Sequence, residues 1–172
     1  MSETADATFI DASLFLGMQA KDDGVRRSCK AFFVQHFDGE VFMSLEQVGL
    51  CDDVIWRHPR MAQDAYYPFM DLLQSVMRIR RLPYEAGDVD ESQALSLEVP
   101  VLDRLMLGQV RARRGVLHSA RHAVLRGHGV PVVAPAVETP AEPAFPEALE
   151  GLYRTSLELR LSQSELRICP DH

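Results

Sequence analysis

Short apolar segments alternate with longer segments of helical spacing along the first 135 residues, and this alternation constrains the fold more than any other feature. Because each intervening helix returns the chain to the same edge of the sheet, strands that alternate with helices become parallel neighbours. The sequence therefore predicts an α/β fold over residues 8–135: a three-layer α/β/α sandwich around a central, mainly parallel sheet of about five strands. The apolar segments predicted as strands are 8–16, 40–43, 78–83, 116–119 and 130–135. The segments predicted as helices are 25–37, 44–58, 60–77, 90–97 and 100–115.

The two ends of the chain differ from this pattern. Residues 1–7 are polar and acidic, which predicts a disordered leader that is neither a secretory signal nor a transit peptide. Residues 136–146 are rich in proline and are predicted as an extended linker. Residues 147–172 form a C-terminal extension, for which we predict a short helix (146–154) and an alternating strand (156–162). The extension is too small to fold alone, so we expect it to pack on the core or on a partner subunit.

Composition narrows the class of protein. A chain of 172 residues with 47% hydrophobic and 25% charged residues is typical of one globular domain. No apolar run approaches the roughly 20 residues of a membrane span, so we expect no membrane partner. The three scattered cysteines predict reduced thiols and a cytoplasmic location. The net charge of −7 argues against a generic nucleic-acid-coating protein, although six arginines and no acid lie within 104–126.

An acidic residue, Asp11, interrupts the first apolar segment, TFIDASLFLG. A buried carboxylate is costly unless it is paired, hydrogen-bonded or bound to a metal. Taken alone, Asp11 is explained as a cap for the following loop. Glu46 and Asp103 each fall in the first turn of a predicted helix, where an acid interacts favourably with the helix dipole. Because the carboxyl ends of parallel strands share one edge, the three carboxylates together would form an oxygen-rich site that suits Mg²⁺ or Mn²⁺.

Three segments of the sequence occur in the order and spacing of one known family. They are FIDASLFLG, EVFMSLEQVGL and VLDRLMLGQVRARRGVLHSARHAVLRGHGVPVVAP. The first is similar to the first strand of the PIN-like nucleases, with its acid at Asp11, and the second to their second strand, serine and acid-bearing helix. The third is similar to their Asp-led helix, a strand ending in Ser or Thr, and a closing Gly-Val-Pro strand. The chain thus resembles this family, which includes the toxins of many bacterial toxin–antitoxin pairs, over 8–135.

The resemblance implies a Mg²⁺- or Mn²⁺-dependent ribonuclease. Asp11, Glu46 and Asp103 would hold the cation, whose bound water would attack a phosphodiester of RNA. Ser119 would hydrogen-bond a ligand, water or phosphate. The candidate contacts to RNA phosphates are Arg111, Arg113, Arg114 and Arg121, and a solvated helix face is the other explanation for this basic run. An antitoxin-like partner is compatible with the resemblance. The strand predicted over 156–162 could either complete the sheet of this chain or pair with a second copy in a homodimer, and its periodicity does not choose between the two.

Two positions depart from the family pattern. The family's second acid falls near position 50, which here is Leu50, while Glu46 and Asp53 lie about one helical turn on either side of it. We prefer Glu46, with Asp53 in reserve. The family commonly has an Asp two residues beyond the Ser or Thr, where this chain has Arg121. These departures favour an alternative, a PIN-like domain that has lost catalysis and acts as a binding or regulatory module. A nucleotide-binding α/β domain is disfavoured, because no Gly-rich loop follows the first strand.

Overall fold

The computed structural model describes residues 6–135 and 141–167 and contains a five-stranded, all-parallel sheet. The strand order is β3-β2-β1-β4-β5. The strands are β1 Thr8–Ile10, β2 Glu40–Ser44, β3 Arg78–Leu82, β4 Val116–His118 and β5 Val132–Val133. The predicted α/β/α sandwich is confirmed. Parts of the predicted leader (1–5), linker (136–140) and extension (168–172) lie outside the described residues.

Helices connect and cover the strands. Those in the described part of the chain are α1 Ala12–Gly17, α2 Asp23–Gln35, α3 Gln47–Ile55, α4 Arg60–Val76, α5 Ala86–Gln93, α6 Val101–Ala112, α7 His122–Leu125 and α8 Glu147–Ser156. Within residues 6–135 and 141–167, none of them is long and apolar enough to cross a membrane.

The central strand β1 is buried on both faces of the sheet. Successive side chains of a strand point to opposite faces, and in β1 the buried Phe9 and Ile10 belong to two different hydrophobic clusters. The larger cluster joins the face of Ile10 to α1, α2, α3, α4 and α8. The smaller cluster joins the face of Phe9 to α6 and β4, through Met106 and Leu117 among others. Burial on both faces explains why β1 reads as a continuous apolar run, whereas the edge strand β3 carries exposed arginines.

The segment 8–16, predicted as one strand, is a strand followed by a helix. β1 ends at Ile10, and Asp11 is the N-cap of α1, where its side chain accepts a hydrogen bond from the Ser13 backbone N–H. Every residue of α1 is buried. A short apolar run does not distinguish a buried strand from a buried helix, and here the capping interaction of Asp11 decides between them.

The strand predicted over 156–162 is wrong. After α8 the chain turns and forms only an isolated parallel bridge between Leu161 and Ala20. The alternating leucines bury Leu159 and Leu161 in the larger cluster without a neighbouring strand to pair with. In this segment the alternation of leucine with polar residues therefore indicates buried side chains and does not indicate a paired strand.

The described part of the C-terminal extension packs on the same core. Phe145, in irregular chain before α8, is buried, and α8 packs along α4. The Tyr153 ring lies 5.3 Å from the Phe69 ring, centroid to centroid. These contacts make α8 a part of the helical layer that covers the larger cluster.

Candidate functional site

The carboxyl ends of β1 and β4 bring Asp11 and Ser119 together. The strands are neighbours with Ile10 opposite His118, so the next residue of each chain segment leaves the sheet beside the other. The Ser119 hydroxyl donates to Asp11 Oδ2 at 2.6 Å. Both residues are buried, with Asp11 2% exposed.

Ser13 completes the hydrogen bonding of Asp11. Its backbone N–H and its hydroxyl donate to Asp11 Oδ1 at 3.1 and 2.5 Å. The two serine hydroxyls lie 3.1 Å apart, and each accepts a backbone N–H from the segment after β4: Ala120 donates to Ser13 and Arg121 to Ser119, both at 2.9 Å. The start of α1 and the chain after β4 are therefore held together by one hydrogen-bonded network.

Burial shifts the protonation of Asp11. Loss of hydration raises the pKa of this carboxyl above its ordinary value of 3.8, and the negative charge of Asp103 adds to the rise. The Arg121 guanidinium and the hydroxyls of Ser119 and Ser13 oppose the rise without cancelling it. Asp11 therefore lies in a neighbourhood that holds a second carboxylate and a guanidinium.

Asp103 and Arg121 form a buried ion pair next to Asp11. Asp103 lies in the first turn of α6, and its Oδ1 accepts a hydrogen bond from Arg121 Nη2 at 2.6 Å. Their side chains are 8% and 10% exposed. An interaction of this kind between a guanidinium and a carboxylate is short and strong because both partners are charged.

Glu46 makes its hydrogen bonds near the ends of β2 and β3 instead of with Asp11. It lies at the N-cap position of α3 without capping it, and its Oε1 accepts a hydrogen bond from the hydroxyl of Tyr84, which follows β3. Burial and the Glu46 carboxylate both raise the pKa of Tyr84, so this hydroxyl stays protonated and donates. Gln47 lies between Glu46 and the Asp11 site, since its Oε1 accepts the Ala12 backbone N–H at 2.9 Å.

The other predicted site residues lie away from Asp11. Asp53 is exposed and pairs with Arg57 on the same helix. Arg111 pairs with Glu91 at 2.8 Å between the charged atoms. Arg113 pairs with the buried Asp88, and Arg114 is exposed at the end of α6 with a positive φ of 51°. Among the four predicted phosphate contacts, Arg121 is the one that lies in the Asp11 network.

A second buried polar network, which the sequence prediction missed, lies at the ends of β2 and β3. Ser44 donates to Gln109 Oε1 at 2.8 Å, and Gln109 Nε2 donates to the Pro83 carbonyl at 3.1 Å and to Asp88 Oδ2 at 3.3 Å. Gln109 is fully buried. The available signal was a glutamine on the apolar face of a predicted helix, because a polar side chain at such a position needs buried partners.

Carboxylate oxygens at this edge already accept hydrogen bonds from the protein, whereas Glu46 Oε2 is buried without a hydrogen-bond partner among the described residues. Each Asp11 oxygen accepts a hydrogen bond from a serine hydroxyl. Asp103 accepts one from Arg121, and Glu46 accepts one from Tyr84. In residues 6–135 and 141–167, no group of three His, Cys, Asp or Glu side chains is arranged to hold an ion. A divalent cation at Asp103 would also stand beside a guanidinium, which repels it.

Comparison with known proteins gives a family without an assigned activity. The model of a family of unknown function (DUF6190) matches residues 1–166 of the 172-residue chain, so the chain belongs to this family. No curated protein matches the sequence.

Proposed function

We propose that this member of the DUF6190 family is a PIN-like domain in which an arginine takes the place of the metal, and which acts by binding instead of by hydrolysing phosphodiesters. The observation that carries the proposal is the buried ion pair of Asp103 and Arg121 beside the Asp11 carboxylate. The PIN-like assignment itself rests on the sequence resemblance. It is supported by the meeting of Asp11 and Ser119 at the carboxyl edge of the parallel sheet.

Charge balance explains why Arg121 would replace a cation. Two carboxylates buried in one neighbourhood need a positive partner, because dehydration penalises isolated charge. In a metal-dependent site a divalent ion supplies that charge. Here Arg121 supplies it permanently, since the arginine side chain does not lose its proton in proteins. An ion that entered the site would have to displace Arg121 from Asp103 and leave a buried guanidinium without this partner.

Two of the three remaining predicted phosphate contacts are already paired with acids, which favours a binding partner other than RNA. Arg111 and Arg113 already pair with Glu91 and Asp88. The formal net charge of the chain is −7. A surface that attracts polyanions needs a cluster of basic side chains whose charge is not already balanced by neighbouring acids.

The second candidate function is the metal-dependent ribonuclease that the resemblance implies. The favourable observation is that Asp11 and Ser119 are hydrogen-bonded and that Asp103 lies close enough to raise the pKa of Asp11. In that case Asp11 and Asp103 would hold Mg²⁺ or Mn²⁺, and the ion would acidify a bound water. The second acid would then have to be Glu46, turned away from Tyr84.

Metal uptake separates the two functions. Isothermal titration with Mn²⁺ should give no saturable binding to the wild-type protein at millimolar concentration, and single-stranded RNA should stay uncleaved in Mn²⁺. Asp11→Asn tests the site itself, and Asp53→Asn is the charge-matched control on an exposed helix face. Binding that Asp11→Asn abolishes and Asp53→Asn preserves, together with Mn²⁺-dependent cleavage, would overturn the proposal. Binding that neither variant changes lies elsewhere and leaves the proposal in place.

Replacement of Arg121 tests the reason for the missing metal site. In Arg121→Asp the guanidinium is gone and a carboxylate is added, so Mn²⁺ should bind and raise the melting temperature, because a ligand of the folded state stabilises it. Arg121→Gln, which removes only the charge, should respond more weakly. If neither variant responds to Mn²⁺ while both remain folded, Arg121 is not what excludes the ion, and the arginine-for-metal proposal fails.

A further inference from the structure

A second site is a pocket of about 170 Å³ lined by residues of α1, β2, α3 and α4. Its apolar wall consists of Phe15, Met43, Val48 and Met70. The residues of the ion pair and the serine network, Asp103, Arg121 and Ser119, do not line it. The pocket is therefore lined by a different set of residues from the ion pair and the serine network.

One buried polar group in this pocket lacks a partner. Tyr66 is 2% exposed, and its hydroxyl makes no hydrogen bond with any residue that the structure describes. The groups that act electrostatically on this hydroxyl are Cys51, Tyr67 and Asp52, all of which line the pocket. A buried hydroxyl without a hydrogen-bond partner is destabilising, so the Tyr66 hydroxyl is expected to meet a ligand or water there.

Two carboxylates give the pocket a negative charge. Asp52 lies on α3 and accepts the Tyr67 hydroxyl at 2.9 Å, and Asp71 lies on α4 one helical turn beyond Tyr67. No ion pair joins either acid to a basic residue within 6–135 or 141–167 under a 4.0 Å limit, and the described pocket lining contains no Lys, Arg or His. The neighbouring acid Asp53, by contrast, has Arg57 as its partner.

We propose that this pocket binds a small organic cation, a primary ammonium group on a compact apolar body. The ammonium group would lie between Asp52 and Asp71, the body would contact Phe15 and Met70, and the Tyr66 hydroxyl would hydrogen-bond a polar atom of the ligand. An apolar cavity of about 150 Å³ accepts benzene, so the pocket suits a ligand of roughly six to eight non-hydrogen atoms. An anionic ligand of the same size would be repelled by both carboxylates.

Three aromatic probes of similar size and different charge test the charge requirement. Benzylamine, which is protonated at neutral pH, should bind, whereas neutral benzyl alcohol should bind at least about tenfold more weakly and benzoate should not compete. Binding is measured by titration of the labelled methyl resonances of Met43 and Met70, which also locates the ligand. Equal affinity for benzylamine and benzyl alcohol would overturn the proposal. So would the absence of any shift at millimolar benzylamine, which would leave water as the partner of Tyr66.

Three variants locate the contacts within the pocket. Asp52→Asn should weaken benzylamine binding by about tenfold or more, and Tyr66→Phe should weaken it by several-fold. Asp53→Asn changes the charge equally on the outer face of the same helix and should leave the affinity within about twofold. Tyr66→Phe should not lower the melting temperature, because the hydroxyl loses no partner, so weaker binding cannot come from unfolding. Unchanged affinity in both Asp52→Asn and Tyr66→Phe would overturn the proposal.

Discussion

At the residue scale, Asp11, Asp103 and Arg121 set the charge balance of the sheet edge. The pKa of Asp11 is raised by burial, and of the two charges near it one is negative and one positive. Without the positive charge of Arg121, the two buried carboxylates would repel each other, because water does not screen like charges that are buried. Arg121 thus stabilises both acids, Asp103 by direct contact and Asp11 through space.

A double-mutant cycle measures how strongly Asp103 and Arg121 depend on each other. Arg121→Gln should lower the free energy of unfolding by about 3 kcal/mol, because it leaves Asp103 buried without this partner. Asp103→Asn should be destabilising by a similar amount, for the converse reason. The double variant should lose at least about 1 kcal/mol less than the sum, measured by urea unfolding at neutral pH. Strict additivity would show that the two side chains act independently and would contradict the ion-pair assignment.

The sequence allowed some of these contacts to be predicted and not others. Asp11 lies within the first predicted strand and Ser119 ends the fourth, so a parallel sheet places both near one edge. Their direct contact depends in addition on β1 and β4 being neighbours, which the sequence did not predict. The direction of Glu46 did not, because it depends on the Tyr84 hydroxyl, which comes from a strand end 38 residues away in the sequence. The pairing of Arg121 with Asp103 likewise depends on where α6 lies relative to β4, which no local pattern encodes.

At the scale of secondary-structure elements, the close crossing of α5 and α6 depends on Gly108. A Cβ at this position would lie 2.5 Å from the Asp88 carbonyl oxygen and 2.7 Å from the Ser92 backbone nitrogen. Backbone atoms cannot move aside as a flexible side chain does, so the two helices would have to separate. Asp88 also accepts hydrogen bonds from Gln109 of α6 and from Arg113, which directly follows α6, so a separation of the helices would weaken these contacts as well.

Gly108→Ala should therefore lower the free energy of unfolding by about 1–3 kcal/mol, the usual range for overpacking. The matched control is Gly151→Ala in α8, where a Cβ would meet no atom within 4 Å. That variant should be more stable than wild type by about 0.5–1 kcal/mol, because alanine favours the helix. Thermal and urea unfolding of both variants test this. A neutral or stabilising Gly108→Ala would mean that the helices do not pack as closely as described.

Boundaries of elements were predictable where a local signal was strong and wrong where tertiary contacts decided them. The spacing within 60–77 predicted α4 almost to the residue, since a long amphipathic pattern has few alternative explanations. α5 begins at Ala86, before the predicted residue 90, because Glu85 and Asp88 form a capping box. Within 156–162, Leu159 and Leu161 are buried in the larger cluster without forming a strand, and a period-two pattern does not distinguish such burial from strand pairing.

At the scale of the whole molecule, the C-terminal extension is attached to the core through a buried lysine. Lys30, on α2, is fully buried, and its Nζ lies 2.8 Å from Glu150 Oε1 and 4.4 Å from the centre of the Tyr153 ring. Glu150 also accepts the Phe145 backbone N–H at 2.9 Å. One carboxylate therefore fixes both the start of α8 and the irregular segment before it.

This arrangement makes the stability of the protein dependent on pH through Glu150. Burial alone would raise its pKa, but the hydrogen bonds from Lys30 and Phe145 and the charges of Lys30 and Arg154 outweigh burial and hold the pKa below its ordinary value of 4.5. A carboxyl group whose pKa is lower in the folded state stabilises that state above the unfolded pKa. The stabilisation is lost as the pH falls below the unfolded value and through the folded one.

Glu150→Gln should accordingly flatten the loss of stability between roughly pH 5 and pH 3, because the residue no longer binds a proton on unfolding. At neutral pH it should cost about 3 kcal/mol, since Lys30 is left buried with the more distant Glu142 as its nearest carboxylate. The flattening should be partial, because the pKa values of Asp88 and Glu165 are also lowered. The control is Glu147→Gln, an exposed acid on the same helix, which should keep both the wild-type stability and the wild-type pH profile. Urea unfolding at several pH values gives both quantities, and an unchanged acid profile in Glu150→Gln would show that the extension is not held to the core by this carboxylate.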